Sequence, residues 1–173
     1  MKDSLNANLA SAVPLTADAS FMEIVELTAR DDERVWIKEP GIGVDVWWRP
    51  LMFDVANGNH VEILRVRKGG SLGKHLHATP VHGFVLEGRW RYLEHDWVAE
   101  PGAYVYEPAG DEHTLVCEEE EMKTLFHISG PILYVDDDSN IIAMDDNKSL
   151  IQRAREHYGA NGLGTDFVDR LLR

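Results

Sequence analysis

The chain has 173 residues, 44% of them apolar, and a formal net charge of −13. A single domain of this size buries roughly two-thirds of its surface and folds without a disulfide or a structural metal. The acidic balance excludes a nucleic-acid binder, which needs Lys and Arg to displace counterions, and excludes docking on an anionic membrane surface. Cys117 is the single cysteine, so no internal disulfide is possible and a reducing cytoplasm is the expected compartment. The start, MKDSLNANLASAV, carries Asp3, Asn6 and Asn8 where a signal peptide would be apolar. No run reaches the roughly 18–20 apolar residues of a membrane span.

Residues 1–20 are rich in Ala, Ser and Asn and read as a loosely held N-terminal arm, with exchange across a dimer as the alternative. Residues 21–145 read as one β domain. Short apolar, aromatic and β-branched runs alternate there with turn signals, at the spacing of an all-β sandwich or barrel. The expected strands are 34–37, 44–55, 60–67, 82–88, 89–95, 103–107, 113–117, 122–129 and 132–136. Breaks are expected at 56–59, Lys68-Gly69-Gly70, 100–102 and 108–110. Pro50 predicts a bend, bulge or edge in its strand. Trp47 and Trp48 read as an edge or dimer face, where Trp is enriched. With no helix between the strands, the sheets are antiparallel.

The period changes in the segment 146–173, read as a helical extension packed on the domain. In LIQRAREHY, Ile151, Ala154 and Tyr158 share one helical face. Asp145, Asp146 or Asn147 caps that helix, and Gly159 ends it. A second short helix spans 165–173, with Thr165 as N-cap and Phe167, Val168, Leu171 and Leu172 as its apolar stripe. The acidic runs at 118–121 and 136–138 read as solvated loops.

The chemistry concentrates in KHLHATPVHGFVLEG, residues 74–88. His75 and His77 stand at i and i+2, so an extended strand turns both imidazoles to one side. Downstream, Gly102, Pro108, Gly110 and His113 mark a corner that would carry a third imidazole back to the first two.

These positions resemble the two motifs of the cupin superfamily, G-x5-H-x-H-x3/4-E-x6-G and G-x5-P-x-G-x2-H-x3-N. Gly69, His75, His77 and Gly88 match the first, and Gly102, Pro108, Gly110 and His113 match the second. The resemblance implies an all-β jelly-roll barrel, with short C-terminal α-helices here, and a metal on His75, His77 and His113. Two positions depart from the pattern. The glutamate position falls on Val81 or His82, and the final Asn position is Cys117. His82 and Cys117 are therefore secondary candidates, either as alternative ligands or as supports for the ligands. The segments VHGFVLEGRWRYLEHDWVAE, GAYVYEPAGDEHTL and HYGANGLGTDFVDRLLR further resemble the 2,4′-dihydroxyacetophenone dioxygenase family. Acetylacetone-cleaving dioxygenases are a more distant likeness.

That resemblance implies non-haem Fe(II) on three histidines. It also implies O₂-dependent cleavage of an aliphatic C–C bond in a small hydroxyketone or diketone, and a homodimer. Zn, Ni or Mn would bind the same ligands, because imidazole suits many divalent ions. Three ligands leave open positions, whereas a closed structural zinc site uses four. Neutral ligands leave the ion's charge uncompensated and favour an anionic, chelating substrate. Trp90, Tyr92, Glu94, Tyr106 and Glu107 are the candidate pocket residues. Glu107 is the one placed to support a histidine from behind. His60, His127 and His157 match no motif and read as structural or exposed. The alternatives are a cupin of the sensing type, as in zinc-binding anti-sigma factors, and a Zn or Mn cupin enzyme with another reaction.

Overall fold

A computed structural model describes residues 32–118 and 120–173. The expected N-terminal arm, 1–20, lies outside the described residues. Among the described residues, ten strands are all paired antiparallel: β1 (Ile37–Lys38), β2 (Gly43–Asp54), β3 (Asn59–His77), β4 (Val81–Glu87), β5 (Arg91–Tyr92), β6 (Tyr104–Glu107), β7 (His113–Val116), β8 (Glu121–Ser129), β9 (Ile132–Val135) and β10 (Ile141–Asp145). One face is ordered β1-β2-β3-β8-β4-β6; β7 and β9 both pair with β3, β5 with β7, and β10 with β9. Alternating burial along β8 and β6 shows one side of each strand facing the core and the other facing out.

The longest element corrects the sequence reading. Lys68-Gly69-Gly70 does not end a strand; it bends one. The 19 residues of β3 run through it. The first half pairs with β2 and β8, and the second half pairs with β7 and β9. Between Val46↔Val66 and Val44↔Ser71, β3 carries Arg67 to Gly70 against Asp45 alone, a large bulge. Gly69 sits at φ +75°, and a Cβ on Gly70 would stand 2.7 Å from the carbonyl oxygens of Arg67 and Val44. The two glycines therefore let one strand serve two faces of the barrel. Pro50 adjoins another register shift, at Pro50/Met52, as expected of a strand proline.

Other elements are adjusted in detail. Of the expected strand 89–95 only Arg91–Tyr92 is paired as β5, and β10 had no counterpart in the sequence reading. The helix α1 spans Asn147–Ala160 and is capped by Asp146, whose side chain accepts from Ser149 N while the Ser149 hydroxyl accepts from Asp146 N. It buries Leu150, Ala154 and Tyr158, so Leu150 takes the place expected of Ile151, and the helix runs past Gly159. The last segment, Thr165–Leu171, is 3-10 rather than α, and its cap is Gly164 instead of Thr165. Phe167 meets the Tyr158 ring edge-on at 4.8 Å, and Arg173 exchanges backbone hydrogen bonds with Phe53 and Val55 of the β2 end.

Trp47 and Trp48 divide between the two sides of β2. Trp48 is buried under the Arg153 guanidinium of α1, while Trp47 lies under Arg65 and Arg67. Arg153 is also pinned to Glu39 and Asp145, which fixes α1 to the barrel. No helix among the described residues is long and apolar enough to cross a membrane.

Candidate metal centre

The second half of β3 turns His75 and His77 inward, and β7 places His113 directly opposite His75. The three rings lie 4.6 to 5.7 Å apart, centroid to centroid. One nitrogen from each falls within 4.8 Å of the others, and all three residues are buried. Burial, reinforced by the neighbouring histidines for the last two, lowers their pKa values from 6.5: to about 4 for His75 and about 2 for His77 and His113. All three are thus neutral at physiological pH, with a lone pair available. His75 Nδ1 is 2.7 Å from the Gly73 carbonyl, and His113 Nδ1 is 3.4 Å from Asp111 Oδ2. Each bond commits the outer nitrogen and leaves Nε2 for the centre. His113 Nε2 has no hydrogen-bond partner although it is buried. A converging set of neutral imidazoles with an orphaned nitrogen fits a divalent metal ion.

Val81 occupies the place where the motif wants a glutamate. It is fully buried, and its register partner on β6 is Glu107. The carboxylate missing from β4 is supplied across the strand. Glu107 Oε2 lies 3.3 Å from His77 Nε2 and 3.6 Å from His113 Nε2. Its Oε1 accepts a 2.5 Å hydrogen bond from the Tyr92 hydroxyl. Tyr92 in turn stacks on His113 at 4.0 Å. Burial raises Glu107 from 4.5 to about 7, partly offset by the Tyr92 bond. Burial and the adjacent Glu107 push the Tyr92 phenol well above its usual range, so it stays a donor.

The cavity around this group is lined by Glu62, Leu64, Leu72, Val81, Leu115, Phe126, Ile128 and Ile132, besides His75, His77, Tyr92 and Glu107. Its volume, about 20 Å³, is room for about one water.

Two of the five expected pocket residues, Tyr92 and Glu107, line the cavity. Trp90 packs behind Tyr92 at 5.1 Å as core. Glu94 is exposed and accepts from Thr114 N, and Tyr106 is exposed on the outer sheet face. His82 lies on that outer face too, beside Tyr104. Cys117 is buried against the Arg89 carbonyl and does not belong to the nitrogen cluster. His60, read as structural or exposed, is buried, 3.9 Å from Glu62. Glu62 was missed because its β3 strand reads as an ordinary alternating run, in which only the buried face hints at an inward acid.

The family description "ChrR Cupin-like domain" matches residues 25–133. The chain belongs to this cupin family. An RmlC-like cupin protein from Ralstonia eutropha JMP134 is 32% identical, over 74% of this chain and 83% of that one, with a TM-score of 0.69. A second R. eutropha protein with a cupin-like fold is 24% identical, over 68% of this chain and 75% of that one, with a TM-score of 0.64. The acetylacetone dioxygenase of Acinetobacter johnsonii shares the fold at 17% identity, over 79% of this chain and 95% of that one, with a TM-score of 0.68. No curated protein matches significantly.

Proposed function

We propose that this cupin holds Fe(II) on His75, His77 and His113 and cleaves an aliphatic C–C bond of a small hydroxyketone or diketone with O₂. The observation that carries the reading is a buried carboxylate, Glu107, facing a neutral three-histidine cluster inside an apolar cavity. Bound Fe(II) would supply Lewis acidity toward two substrate oxygens and the electrons that activate O₂.

The chain's own residues account for the rest. Three neutral imidazoles cancel none of the cation's charge and leave Glu107 as the acid facing it, so an enolate is favoured over a neutral ketone. Glu107 Oε2 stands where it can take the proton that enolisation releases, and Tyr92 holds the other carboxylate oxygen so that Oε2 keeps facing the histidines. Leu64, Leu115, Phe126 and Ile132 exclude water from the reacting carbons. For a hydroxyketone the reaction balances as R–CO–CH₂OH + O₂ giving R–COOH and formic acid. A ketone must displace side chains to enter so narrow a cavity, so substrate admission includes a conformational step. The same reading takes residues 21–145 as the cupin unit, 146–173 as its helical extension, and the protein as a cytoplasmic homodimer.

A second reading is favoured by the matched family and by the narrowness of the cavity. In it the same histidines hold Zn²⁺ in a sensing or binding module without turnover. Metal analysis of protein purified from its own host decides, together with oxygen-electrode assays on 2,4′-dihydroxyacetophenone and acetylacetone. Iron with substrate-dependent O₂ uptake and formate or acetate release supports the first reading. Iron-loaded protein that consumes no O₂ with these ketones sinks it, and zinc without turnover selects the second.

A further inference from the structure

We propose that His82 and His127 form a second site for a borderline divalent ion, Zn²⁺, Ni²⁺ or Cu²⁺, on the outer face of the sheet and separate from the interior cluster. The two are register partners on β4 and β8, so both side chains stand on the same face, and both are half-buried. Their rings lie 6.2 Å apart, centroid to centroid, and are inclined by 30°. The widest pair in the interior cluster is at 5.7 Å, so the outer pair is open by only half an ångström more. A rotation of the His127 side chain, which leaves the His82–Tyr104 contact in place, would close that gap.

His82 is already oriented. Its Nδ1 is 2.7 Å from the Tyr104 hydroxyl. With Nδ1–H donating to the phenol oxygen, Nε2 keeps its lone pair, which is how metal-binding histidines are normally held.

The surroundings give these histidines no salt-bridge role. The row across the sheet reads Val61, His127, His82, Tyr106. The next row on the same face reads Ile63, Leu125, Phe84, Tyr104. On β3, β8, β4 and β6 neither row contains a charged residue, and Arg49 on β2 ends the second row, two strands away from His127. Without a carboxylate, the site rejects Mg²⁺ and Ca²⁺, while imidazole selects the borderline transition ions. Tyr104 and Tyr106 are more than half exposed, so an ion reaches the pair from solvent. Two protein ligands leave the remaining positions to water, so this site binds more weakly than three converging histidines.

Calorimetric titration of the metal-free full chain with Zn²⁺ tests the site. The wild type should take up one more ion per chain than the His82→Ala/His127→Ala double variant, in the weaker step. Tyr104→Phe should keep the stoichiometry and weaken that step about tenfold. Equal stoichiometry in wild type and double variant overturns the proposal. A wild type that binds one ion, lost in the double variant, supports it and sinks the interior site instead. Should the double variant also lose the tight step, histidine-proton NMR of the wild type decides. Zn²⁺-dependent shifts at His82 and His127 beyond the first equivalent support the site, and unmoved resonances overturn it.

Discussion

Val81 and Glu107 are register partners across β4 and β6, and the acid of the pair is on β6. A cupin motif read along β4 finds valine where it wants glutamate. Read across the sheet, the carboxylate is present, with its Oε2 3.3 Å from His77 Nε2. Its strand of origin matters to its role. The oxygen lies beside Nε2 of two of the three clustered histidines, so it is placed to move a proton. Glu107→Gln should therefore keep the metal and lose turnover. We expect O₂ uptake to fall by about 10²–10⁴-fold, the usual range for removing a general base, with metal content unchanged by elemental analysis. Unchanged uptake would remove Glu107 from the mechanism.

Tyr92 holds Glu107 in place and has a stability cost of its own. Tyr92→Phe leaves a buried carboxylate oxygen without its donor, at a cost of about 1–3 kcal/mol. Urea unfolding of the metal-free protein should show the lower midpoint with an unchanged slope. The variant should retain the stacking on His113, because that contact uses the ring and not the hydroxyl.

How much of this was legible beforehand varies with how local the signal is. His75, His77 and His113 were readable because motif spacing and strand alternation are short-range rules, and the barrel brings the three together. Glu107 was readable as a neighbour of the Pro108 turn, but its partnership with Val81 depends on strand pairing, which the sequence does not encode locally. Trp90, Glu94 and Tyr106 look equivalent to it in sequence, because alternation separates the two faces of a strand without saying which is inward. Gly69-Gly70 misled for a related reason. Two glycines look like a turn, yet here they make a bulge that lets β3 pass from one face of the barrel to the other. Glu62 carried no motif, and its burial is a property of the packed barrel.

The buried acids and histidines make the metal-free protein pH-sensitive in opposite directions. Burial, helped by Glu39 and Asp145 and opposed by Arg153, raises Glu62 from 4.5 to about 8. The folded state then binds a proton that the unfolded chain has released, so Glu62's contribution is full below 4.5 and is lost as pH rises through about 8. His60, His75, His77 and His113 have lowered values, so they penalise the fold as pH falls below 6.5. Thermal unfolding should accordingly show a maximum between the two limbs. Glu107, raised to about 7, adds to the same limb, so Glu62→Gln should make the alkaline limb shallower without abolishing it and leave the acid limb alone. An alkaline limb unchanged in this variant would assign it to another group.

Arg153 on α1 faces Glu39 at 3.1 Å and Asp145 at 2.7 Å, both carboxylates being largely buried. Arg153→Met preserves the bulk over Trp48 and removes the cation that both acids contact. Breaking a buried pair from one side costs about 3–5 kcal/mol. The loss should be seen in chemical denaturation at pH 7 and should shrink as the pH is lowered and Glu39, which burial holds above its ordinary value, becomes neutral. A loss that stays constant with pH would point to packing on Trp48 instead.

The motif glycines should separate into two classes on substitution. Gly88 sits at φ +70°, and a Cβ there would lie 2.0 Å from the Glu121 carbonyl oxygen. Neither the backbone angle nor the space permits alanine, because the obstacle is the β8 main chain and cannot rotate away. Gly102 has a similar angle, φ +89°, but nothing within 4 Å of the added atom. Gly102→Ala should therefore cost only the left-handed conformation, about 1–2 kcal/mol. Gly88→Ala should cost more than about 4 kcal/mol, in the range where a named steric conflict is required. Equal midpoints for the two variants in guanidinium unfolding would show that β4 and β8 can separate at this corner, and that Gly88 serves the turn rather than the close approach.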